Sequence, residues 1–505
     1  MNKNIRLLLI ILIVITVLSA CLGGRTEKRP STFRDSIEFV GDIENSFQLE
    51  NFEKYKDNDI VERFEFNEDS FEGIPVQYLL DKAEPFAANN EVYFTARDGF
   101  SIEITDDYLE ESFIFWTDKG GWELINKNHS PSSHIKDIEK VVLVAEDLSL
   151  NKGFNIIEPG QNLFNVSIGE LYKNGYSVKP VSSEISLDSQ EEKELQVSTY
   201  HRKKVIDLAE FVDLSRKENV KIVGEKGEVE SYSQDGFFVL QENRIDYRTE
   251  DKIKIENTTG IVLDTPDKQI TDVYHETRKI LDNDEKVMLI LIDGLGYHQY
   301  ESALENGYTP FLETLPEPDK AMVAYPPVTP VNVAASLTGE LPFVNGVYER
   351  GIRQLKVPTI FNYCEKNDKN SEAIIGPMGT IELEIDPVYS LDENQDGSTD
   401  REKMKNALQK MEQKLDLIFV HFKDVDNQGH SYGDLSLETM AAIEDNDSYV
   451  KKLVSEWDGQ VLIFADHGMH TKEEKQEQKK GDHNSLRTED MFVPYWHFEG
   501  GKINE

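Results

Sequence analysis

The stretch KVMLILIDGLG, residues 286–296, joins a fully apolar run to an acidic residue and two glycines. Such a run is typical of a strand that is covered on both faces, as in the parallel sheet of an α/β domain. Asp293 follows the run directly, and Gly294 and Gly296 allow the backbone to turn away at once. Because ligands of open α/β sheets bind at the carboxyl ends of the strands, Asp293 is predicted to hold a cation there.

Two later stretches repeat this pattern. LDLIFVHFKD (415–424) leads to Asp426 just beyond a short turn, and GQVLIFADH (459–467) leads to Asp466. The carboxyl ends of parallel strands meet at one edge of a sheet, so carboxylates that are far apart in sequence are expected to converge. The pattern predicts an α/β catalytic domain over residues 284–505, in which helices sandwich a parallel sheet.

Three histidines accompany the aspartates. His430 lies four residues after Asp426 in DNQGH, His467 follows Asp466 directly, and His483 lies in GDHNS. One such histidine alone is more often a surface or core residue than a metal ligand. Together with the strand-end aspartates, these nitrogen and oxygen ligands suit zinc best, and manganese or iron also fits them.

A candidate nucleophile lies between the first two aspartates, in VTPVNVAASLTG at residues 328–339. Thr329 followed by Pro330 is typical of a helix N-cap with proline at the first helical position. The helix is predicted to run to about Thr338 and to stop at Gly339. Its positive end would favour an alkoxide on Thr329 and the oxygens of a phosphate. Capping threonines are common, so this position alone does not identify a nucleophile.

Taken in order, LILIDGLG, TPVNVAASLTG, DNQGH, ADHGM and GDH resemble the alkaline phosphatase superfamily, in particular its type I phosphodiesterase/nucleotide pyrophosphatase branch. The resemblance covers residues 285–500 and implies an alkaline-phosphatase-like fold with two zinc ions. It also implies that Thr329 is the catalytic nucleophile and that Asn332 donates to a phosphate oxygen. The implied ligands are Asp293, Thr329, Asp466 and His467 for one ion, and Asp426, His430 and His483 for the other.

This chain departs from the family pattern in ways that bear on the substrate. Asn345 and Gly346 stand where many relatives have His-Gly, and no arginine is evident beside Thr329. A phosphodiester or pyrophosphate is therefore preferred over a monoester, and a threonine nucleophile argues against a sulfatase. The alternatives are a phosphomonoesterase, a phosphonate hydrolase or phosphotransferase of the same superfamily, and a non-catalytic surface-binding lipoprotein.

The N-terminus is predicted to be an export and anchoring signal. Residues 1–20 join two basic residues to an apolar stretch that is short for a membrane span. With the following LSAC and LGG, this segment resembles a bacterial lipoprotein signal of residues 1–21, in which Cys21 is lipidated and residues 22–35 form a tether. The resemblance implies an extracytoplasmic protein anchored to the cell membrane. The other cysteine is Cys364, so neither a disulfide nor a cysteine-based metal site is expected.

Two β-rich α+β accessory domains are predicted between the tether and the catalytic domain, over residues 36–150 and 151–275. The strand and turn pattern of EVYFTARDGFSIEIT at 91–105 recurs in NVKIVGEKGEVESYS at 219–233, which indicates that the two regions repeat one arrangement of elements. Through GIPVQYLL and VYFTARDGF, the first region resembles the molybdopterin-binding domain of sulfite-oxidase-like proteins. No cysteine lies between residues 22 and 363, so that cofactor is not expected here.

Charge narrows the choice of partners. The formal net charge of -41 argues against nucleic-acid binding, which needs a cationic surface. It also means that a small anionic phosphoester must rely on bound metal ions to reverse the local sign. The stretch DENQDGSTD, from Asp392 to Asp400, has the spacing of a calcium loop, but Lys403 occupies the twelfth position where glutamate is expected. A Ca²⁺ site and a solvated polar turn both remain open here.

Overall fold

The structure, a computed structural model, describes residues 36–146, 153–174, 176–188, 194–208, 211–249, 252–377, 379–472 and 480–501. The predicted signal peptide, the tether and Cys21 lie outside the described residues. Within the described ranges, no helix combines the length and apolar character that crossing a membrane requires.

The described chain divides into two compact units. One consists of the described residues up to Phe39, Phe47–Ala83 and Val92–Val141, and the other of Val40–Ser46, Glu84–Glu91 and the described residues from Val142 onward. The second accessory region and the catalytic region therefore belong to the same unit. The predicted domain boundary between residues 275 and 284 stays a prediction.

The first β-rich region contains a five-stranded sheet of order β2-β1-β9-β5-β6 and a four-stranded sheet of order β3-β4-β7-β8. Its strands are β1 (Ser36–Gly41), β2 (Phe47–Glu50), β3 (Glu62–Phe66), β4 (Asp69–Pro75), β5 (Asn90–Ala96), β6 (Ser101–Thr105), β7 (Ser112–Thr117), β8 (Gly121–Asn126) and β9 (Ile138–Ala145). Its helices are α1 (Phe52–Lys56) and α2 (Val76–Ala83).

The second β-rich region contains two five-stranded sheets, of order β11-β10-β19-β14-β15 and β12-β13-β16-β17-β18. Its strands are β10 (Gly153–Glu158), β11 (Gln161–Ser167), β12 (Tyr176–Asp188), β13 (Glu194–Ile206), β14 (Lys221–Gly224), β15 (Val229–Ser231), β16 (Phe237–Gln241), β17 (Arg244–Arg248), β18 (Ile253–Ile255) and β19 (Thr258–Val262). Helix α3 (Ile168–Asn174) follows β11.

The strand orders of the two regions correspond position by position, apart from the added β18. Gly99 and Gly227, which are 128 residues apart, both form turns with positive φ, +91° and +76°. Each donates its N–H to the carbonyl three residues earlier, at 2.9 Å from Ala96 and 3.1 Å from Gly224. The predicted repetition of the plan is therefore confirmed at the level of strand order.

The region predicted to be catalytic, called the catalytic region below, is built on an eight-stranded sheet of order β20-β22-β29-β26-β21-β25-β23-β24. Its strands are β20 (Lys268–Gln269), β21 (Val287–Ile292), β22 (Asp319–Met322), β23 (Ser371–Ile375), β24 (Val388–Tyr389), β25 (Leu417–Phe422), β26 (Gln460–Phe464) and β29 (Phe492–Glu499), and β27 (His470–Thr471) pairs with β28 (Gly481–Asp482) separately. Its helices are α4 (Asp272–Asp282), α5 (Tyr297–Glu305), α6 (Thr329–Thr338), α7 (Pro342–Asn345), α8 (Ile360–Lys366), α9 (Asp400–Met411), α10 (Asp424–Tyr432), α11 (Leu437–Glu456) and α12 (Thr488–Met491).

The opening stretch forms the central strand β21, and all six of its residues are buried. Parallel pairing with β25 and β26 places Ile292 opposite Phe422 and Leu291 opposite Phe464, so the three strands end at the same edge. Burial of each large apolar side chain stabilises the fold by about 1.5–3 kcal/mol. The predicted α/β fold is confirmed, with one difference within the sheet.

The difference is that β29 runs antiparallel to both of its neighbours, β22 and β26, whereas a parallel sheet was predicted. Phe464, the last residue of β26, pairs with Tyr495 near the start of β29, and Gln460 pairs with Glu499 near its end. The chain therefore enters β29 at the edge where β26 ends. A strand that begins at that edge has to run back in the opposite direction.

Candidate metal centre and active site

The three predicted aspartates come together at the carboxyl edge of the catalytic sheet. Asp293 follows β21, Asp426 lies in the first turn of α10, and Asp466 follows β26 by two residues. Their exposed fractions are 0 %, 5 % and 0 %. Gly294 has a φ of +80°, and a Cβ there would lie 2.9 Å from the Cα of Asp426, so the close approach of these two segments requires glycine.

The three predicted histidines are held in one orientation by backbone carbonyls. Nδ1 of His430 lies 3.0 Å from the Gly481 oxygen, and Nδ1 of His483 lies 2.7 Å from the Pro327 oxygen. Nδ1 of His467 lies 2.9 Å from the oxygen of the next residue. Because a carbonyl only accepts, each Nδ1 donates, so in the neutral ring each Nε2 offers a lone pair to a metal ion.

These side chains form two overlapping sets of candidate metal ligands. Asp293, Asp466 and His467 form one set, and Asp426, His467 and His483 form the other. His430 adjoins the second set, with its Nε2 at 3.3 Å from Asp426 Oδ1 and 3.2 Å from His483 Nε2. The structure thus gathers all six predicted aspartates and histidines. It places His467 in both sets, whereas the family resemblance implied one ion for it.

The buried oxygens fit divalent cations. Within the described part of the chain, Asp426 Oδ1 and Asp466 Oδ2 are buried and have no hydrogen-bond partner. Buried polar atoms without a hydrogen-bond partner are rare, because each lowers the free energy of unfolding by about 1–3 kcal/mol. The six side chains supply carboxylate oxygen and imidazole nitrogen, the donor types that bind zinc or manganese.

Crowding of negative charge also shows in the titration behaviour of the site. Burial raises the pKa of Asp466 to about 7, and repulsion from Asp293 and Asp426 adds to this effect. Burial lowers the pKa of His467, but attraction by Asp466 and Asp293 outweighs it and raises that pKa to about 10. The pocket therefore stabilises positive charge.

Thr329 lies beside the first set of ligands. Its Oγ1 is 3.4 Å from Asp293 Oδ1 and 3.2 Å from His467 Nε2, and the residue is 6 % exposed. Thr329 was predicted to be the N-cap of α6, but it is the first residue of the helix, and Val328 is the N-cap. The helix ends at Thr338, and Gly339 follows with a φ of +72°, as predicted.

Asn332 has another set of partners in the structure. Its Oδ1 accepts the Ala324 N–H at 2.7 Å, and its Nδ2 donates to the Ala324 and Pro326 carbonyls at 3.0 and 3.4 Å. Both ends of this fully buried amide hold the loop that leads to Thr329. Its donation to a phosphate oxygen stays a prediction, and the geometry favours a role in shaping the loop.

Sequence reasoning missed three residues of the site. His421 Nε2 lies 2.9 Å from Asp293 Oδ2, Lys423 Nζ lies 3.8 Å from the same oxygen, and Arg350 Nη2 lies 3.1 Å from His483 Nε2. His421 lies near the end of an apolar strand and Lys423 follows that strand directly, so the sequence carried a local signal for both residues. Arg350 lies in a turn after α7 and has no comparable local signal.

The calcium-like segment forms a hydrogen-bonded turn. Asp392 accepts the N–H groups of Asp396 and Gly397 at 3.2 and 3.0 Å. Lys403 Nζ lies 2.9 Å from Asp400 Oδ1, and both side chains are buried. An ammonium group thus neutralises the carboxylate at the end of the loop. Calcium binding at residues 392–400 stays a prediction, and the geometry favours a structural turn.

Residues 366–484 match the Metalloenzyme superfamily. The matched Metalloenzyme segment covers less than a quarter of the chain. It contains Asp426, His430, Asp466, His467 and His483, together with strands β23 to β26 of the eight-stranded sheet.

Solved structures with similar regions include murine ectonucleotide pyrophosphatase/phosphodiesterase 5, at 16 % identity, 38 % coverage of this chain, 59 % of that chain and a TM-score of 0.33. The human protein of that name has 17 % sequence identity and a TM-score of 0.30, and the match covers 37 % of this chain and 58 % of that chain. Phosphonoacetate hydrolase from Sinorhizobium meliloti 1021, in complex with phosphonoacetate, has 16 % sequence identity and a TM-score of 0.32. That match covers 38 % of this chain and 58 % of that chain. The chain spans less than two thirds of each. No curated protein matches the chain.

Proposed function

We propose that this protein is a metal-dependent hydrolase of phosphoesters in which Thr329 is the nucleophile. One observation carries the proposal: the Thr329 hydroxyl lies 3.2 Å from His467 Nε2, at the start of a helix and beside a buried group of carboxylates and imidazoles. The Metalloenzyme match over residues 366–484 supports metal-dependent chemistry for this group. A non-catalytic lipoprotein would have no need to keep all of these side chains.

In this proposal the site holds two zinc ions, with manganese as the alternative metal. The ligands would be Asp293, Thr329, Asp466 and His467 for one ion, and Asp426, His430 and His483 for the other. The ions would supply Lewis acidity and neutralise the charge that develops on the phosphoryl oxygens.

The residues of the chain position the reacting groups. The positive end of α6 stabilises a deprotonated Thr329 Oγ1 and attracts the phosphoryl oxygens. Oγ1 attacks phosphorus in line with the leaving oxygen, which gives a phosphothreonine that water then hydrolyses. The buried position of Thr329 limits access of other nucleophiles.

Two substrate classes remain in the proposal. The sequence favours a phosphodiester or pyrophosphate, because no arginine was evident beside Thr329. The placement of Arg350 against His483 and of Lys423 against Asp293 instead favours a phosphomonoester or phosphonate. We further propose that the protein works outside the cytoplasm, attached to the membrane through Cys21.

The test compares hydrolysis of bis-p-nitrophenyl phosphate and p-nitrophenyl phosphate by the wild type and by Thr329→Ala, with and without a chelator. Loss of a nucleophile is expected to lower kcat/KM about 10³-fold or more. Thr314→Ala, an exposed threonine whose hydroxyl bonds the Phe311 carbonyl, is the matched control and should retain activity. Full activity in the Thr329 variant, or turnover that a chelator leaves intact, would refute the proposal.

A further inference from the structure

The first β-rich region contains a cavity of about 750 Å³, which is lined by residues of β2, α1 and the hairpin of β7 and β8. Small-molecule sites typically have volumes of about 300–1,000 Å³. Three aromatic and three acidic side chains are among those that line the cavity: Phe52, Trp116, Trp122, Glu50, Glu53 and Asp118. All six belong to the first of the two compact units, whereas the candidate metal ligands belong to the second.

The three aromatic rings form a corner in the wall of this cavity. Trp116 and Trp122 are direct partners on the antiparallel strands β7 and β8, so their side chains lie on the same face of the hairpin. Their ring centroids are 5.5 Å apart at an interplanar angle of 76°, and Phe52 meets Trp122 at 6.1 Å and 68°. Trp122 is 1 % exposed and supports the other two rings, which are partly exposed. Rings at such angles contact one ligand from two sides.

Three carboxylates line the same cavity. Glu50 is the last residue of β2, Glu53 lies in the first turn of α1, and Asp118 directly follows β7. Asn51 joins β2 to α1 with a φ of +54°, a left-handed conformation that asparagine tolerates, and this turn places Glu50 and Phe52 at one cavity. All three acidic side chains are exposed, and none forms an ion pair within the described part of the chain. Their negative charge is therefore available to a ligand.

Both kinds of side chain attract positive charge. The face of an aromatic ring is the negative part of its quadrupole, and indole binds cations best among the aromatic side chains. A bare metal ion does not fit, because the sets of described side chains close enough to hold one lie at the candidate metal centre and not in this cavity. The carboxylates repel an anion. The combination favours an organic cation whose methyl groups pack on the rings, as a quaternary ammonium group does.

We propose that this cavity binds small quaternary ammonium compounds. The cation lies against the faces of Trp116 and Phe52, and the carboxylates of Glu50, Glu53 and Asp118 neutralise its charge. The inference does not rest on the proposed hydrolase, because it concerns other residues in the other compact unit. It assigns a ligand to the first β-rich region, for which the sequence predicted an accessory domain alone.

Titration calorimetry of the full chain with choline tests the proposal. The matched probes are neohexyl alcohol, the uncharged carbon analogue of choline, and methyl glucoside, a neutral saccharide that also stacks on tryptophan. Trp116→Leu keeps an apolar side chain and removes the indole face, and Asp118→Asn and Glu53→Gln each remove one charge. Phe100→Leu and Glu110→Gln, at exposed positions of the same region, are the controls. Thermal unfolding shows that each variant is folded.

Choline should bind about ten times more tightly than neohexyl alcohol or methyl glucoside, because it alone carries the positive charge. Trp116→Leu should weaken choline binding about 3- to 30-fold, the range expected for a partly desolvated cation–π contact. Asp118→Asn and Glu53→Gln should each weaken it about 2- to 5-fold, as for exposed charge pairs. Both control variants should bind choline like the wild type.

Several results would overturn the inference. Equal affinity for choline and neohexyl alcohol would mean that the cavity selects apolar shape, and preference for methyl glucoside would make it a saccharide site. Absence of choline binding, or affinity that Trp116→Leu or both charge-removing variants leave unchanged, would also refute it. If Trp116→Leu does not fold, Asp118→Asn and Glu53→Gln decide. Hydrolysis by Thr329→Ala bears on the proposed function alone, so the two proposals can fail separately.

Discussion

At the scale of single residues, His421 orients Asp293, which is one of the candidate metal ligands. His421 is 5 % exposed, and its Nε2 donates to Asp293 Oδ2 at 2.9 Å. Burial lowers the pKa of His421, so the ring is neutral and holds the carboxylate through a hydrogen bond. This bond directs the other oxygen, Oδ1, toward Thr329 and His467, which lie 3.4 and 3.3 Å away.

Removal of this support should weaken metal binding. We expect His421→Ala to lower zinc affinity about 10- to 100-fold, because partners that orient a metal ligand contribute that much. His421→Asn, which keeps a donor, should lose less, and His275→Ala, an exposed histidine on α4, should lose nothing. The measurement is competition for zinc with a chelating dye. Unchanged affinity in His421→Ala would show that Asp293 needs no such support.

At the scale of elements, one carboxylate ties α4 to strands β20 and β29. Glu276 bonds Lys268 and Tyr495 and lies 3.1 Å from His497 Nδ1. Burial raises the pKa of Glu276, but hydrogen bonds from His497, Lys268 and Tyr495 outweigh it and lower the pKa from 4.5 to about 2. The ionised form is therefore the one that joins the helix to the sheet.

This lowered pKa predicts a pH-dependent contribution to stability. A depressed carboxyl pKa stabilises the fold fully above the unfolded value of 4.5 and loses that effect as pH falls toward about 2. Glu276→Gln should therefore lower the free energy of unfolding by about 1–2 kcal/mol at neutral pH, discounted for partial exposure. Urea denaturation of both proteins between these pH values checks it, with Glu301→Gln on the exposed face of α5 as control. If the difference in free energy of unfolding between the wild type and Glu276→Gln stays the same as pH falls, Glu276 does not have the lowered pKa.

At the scale of the whole molecule, folding concentrates charge that a cation can neutralise. Asp293, Asp426 and Asp466 come from segments that are distant in sequence and become buried together only when the catalytic sheet forms. The folded state therefore creates a candidate cation site that the unfolded chain lacks. Ligands that bind the folded state alone stabilise it by mass action.

Zinc should accordingly raise the thermal unfolding temperature. At a free concentration about 100 times Kd, the expected gain is about 2.7 kcal/mol. Asp426→Asn should lose much of this increase, and its metal-free form should be at least as stable as the metal-free wild type, because one buried charge is gone. Asp445→Asn, an exposed aspartate of α11, should respond to zinc like the wild type. An unfolding temperature that zinc leaves unchanged would speak against a metal centre.

The sequence by itself determined the central strands, the C-terminal end of α6 and the aspartates and histidines that converge at the edge of the sheet. Apolar runs, a proline and a terminal glycine act through local backbone preferences, which are visible in a short window. Lys423 and His421 also carried local signals, since they lie at the end of a buried strand.

The tertiary structure alone decided the rest. The approach of Arg350 to His483, the sharing of His467 between two sets of ligands and the use of Asn332 by the loop before Thr329 depend on strand register and on the paths of long connections. The reversed direction of β29 also followed from where the preceding segment ends. Side-chain convergence is a property of packing between segments that are distant in sequence, and no local pattern encodes it.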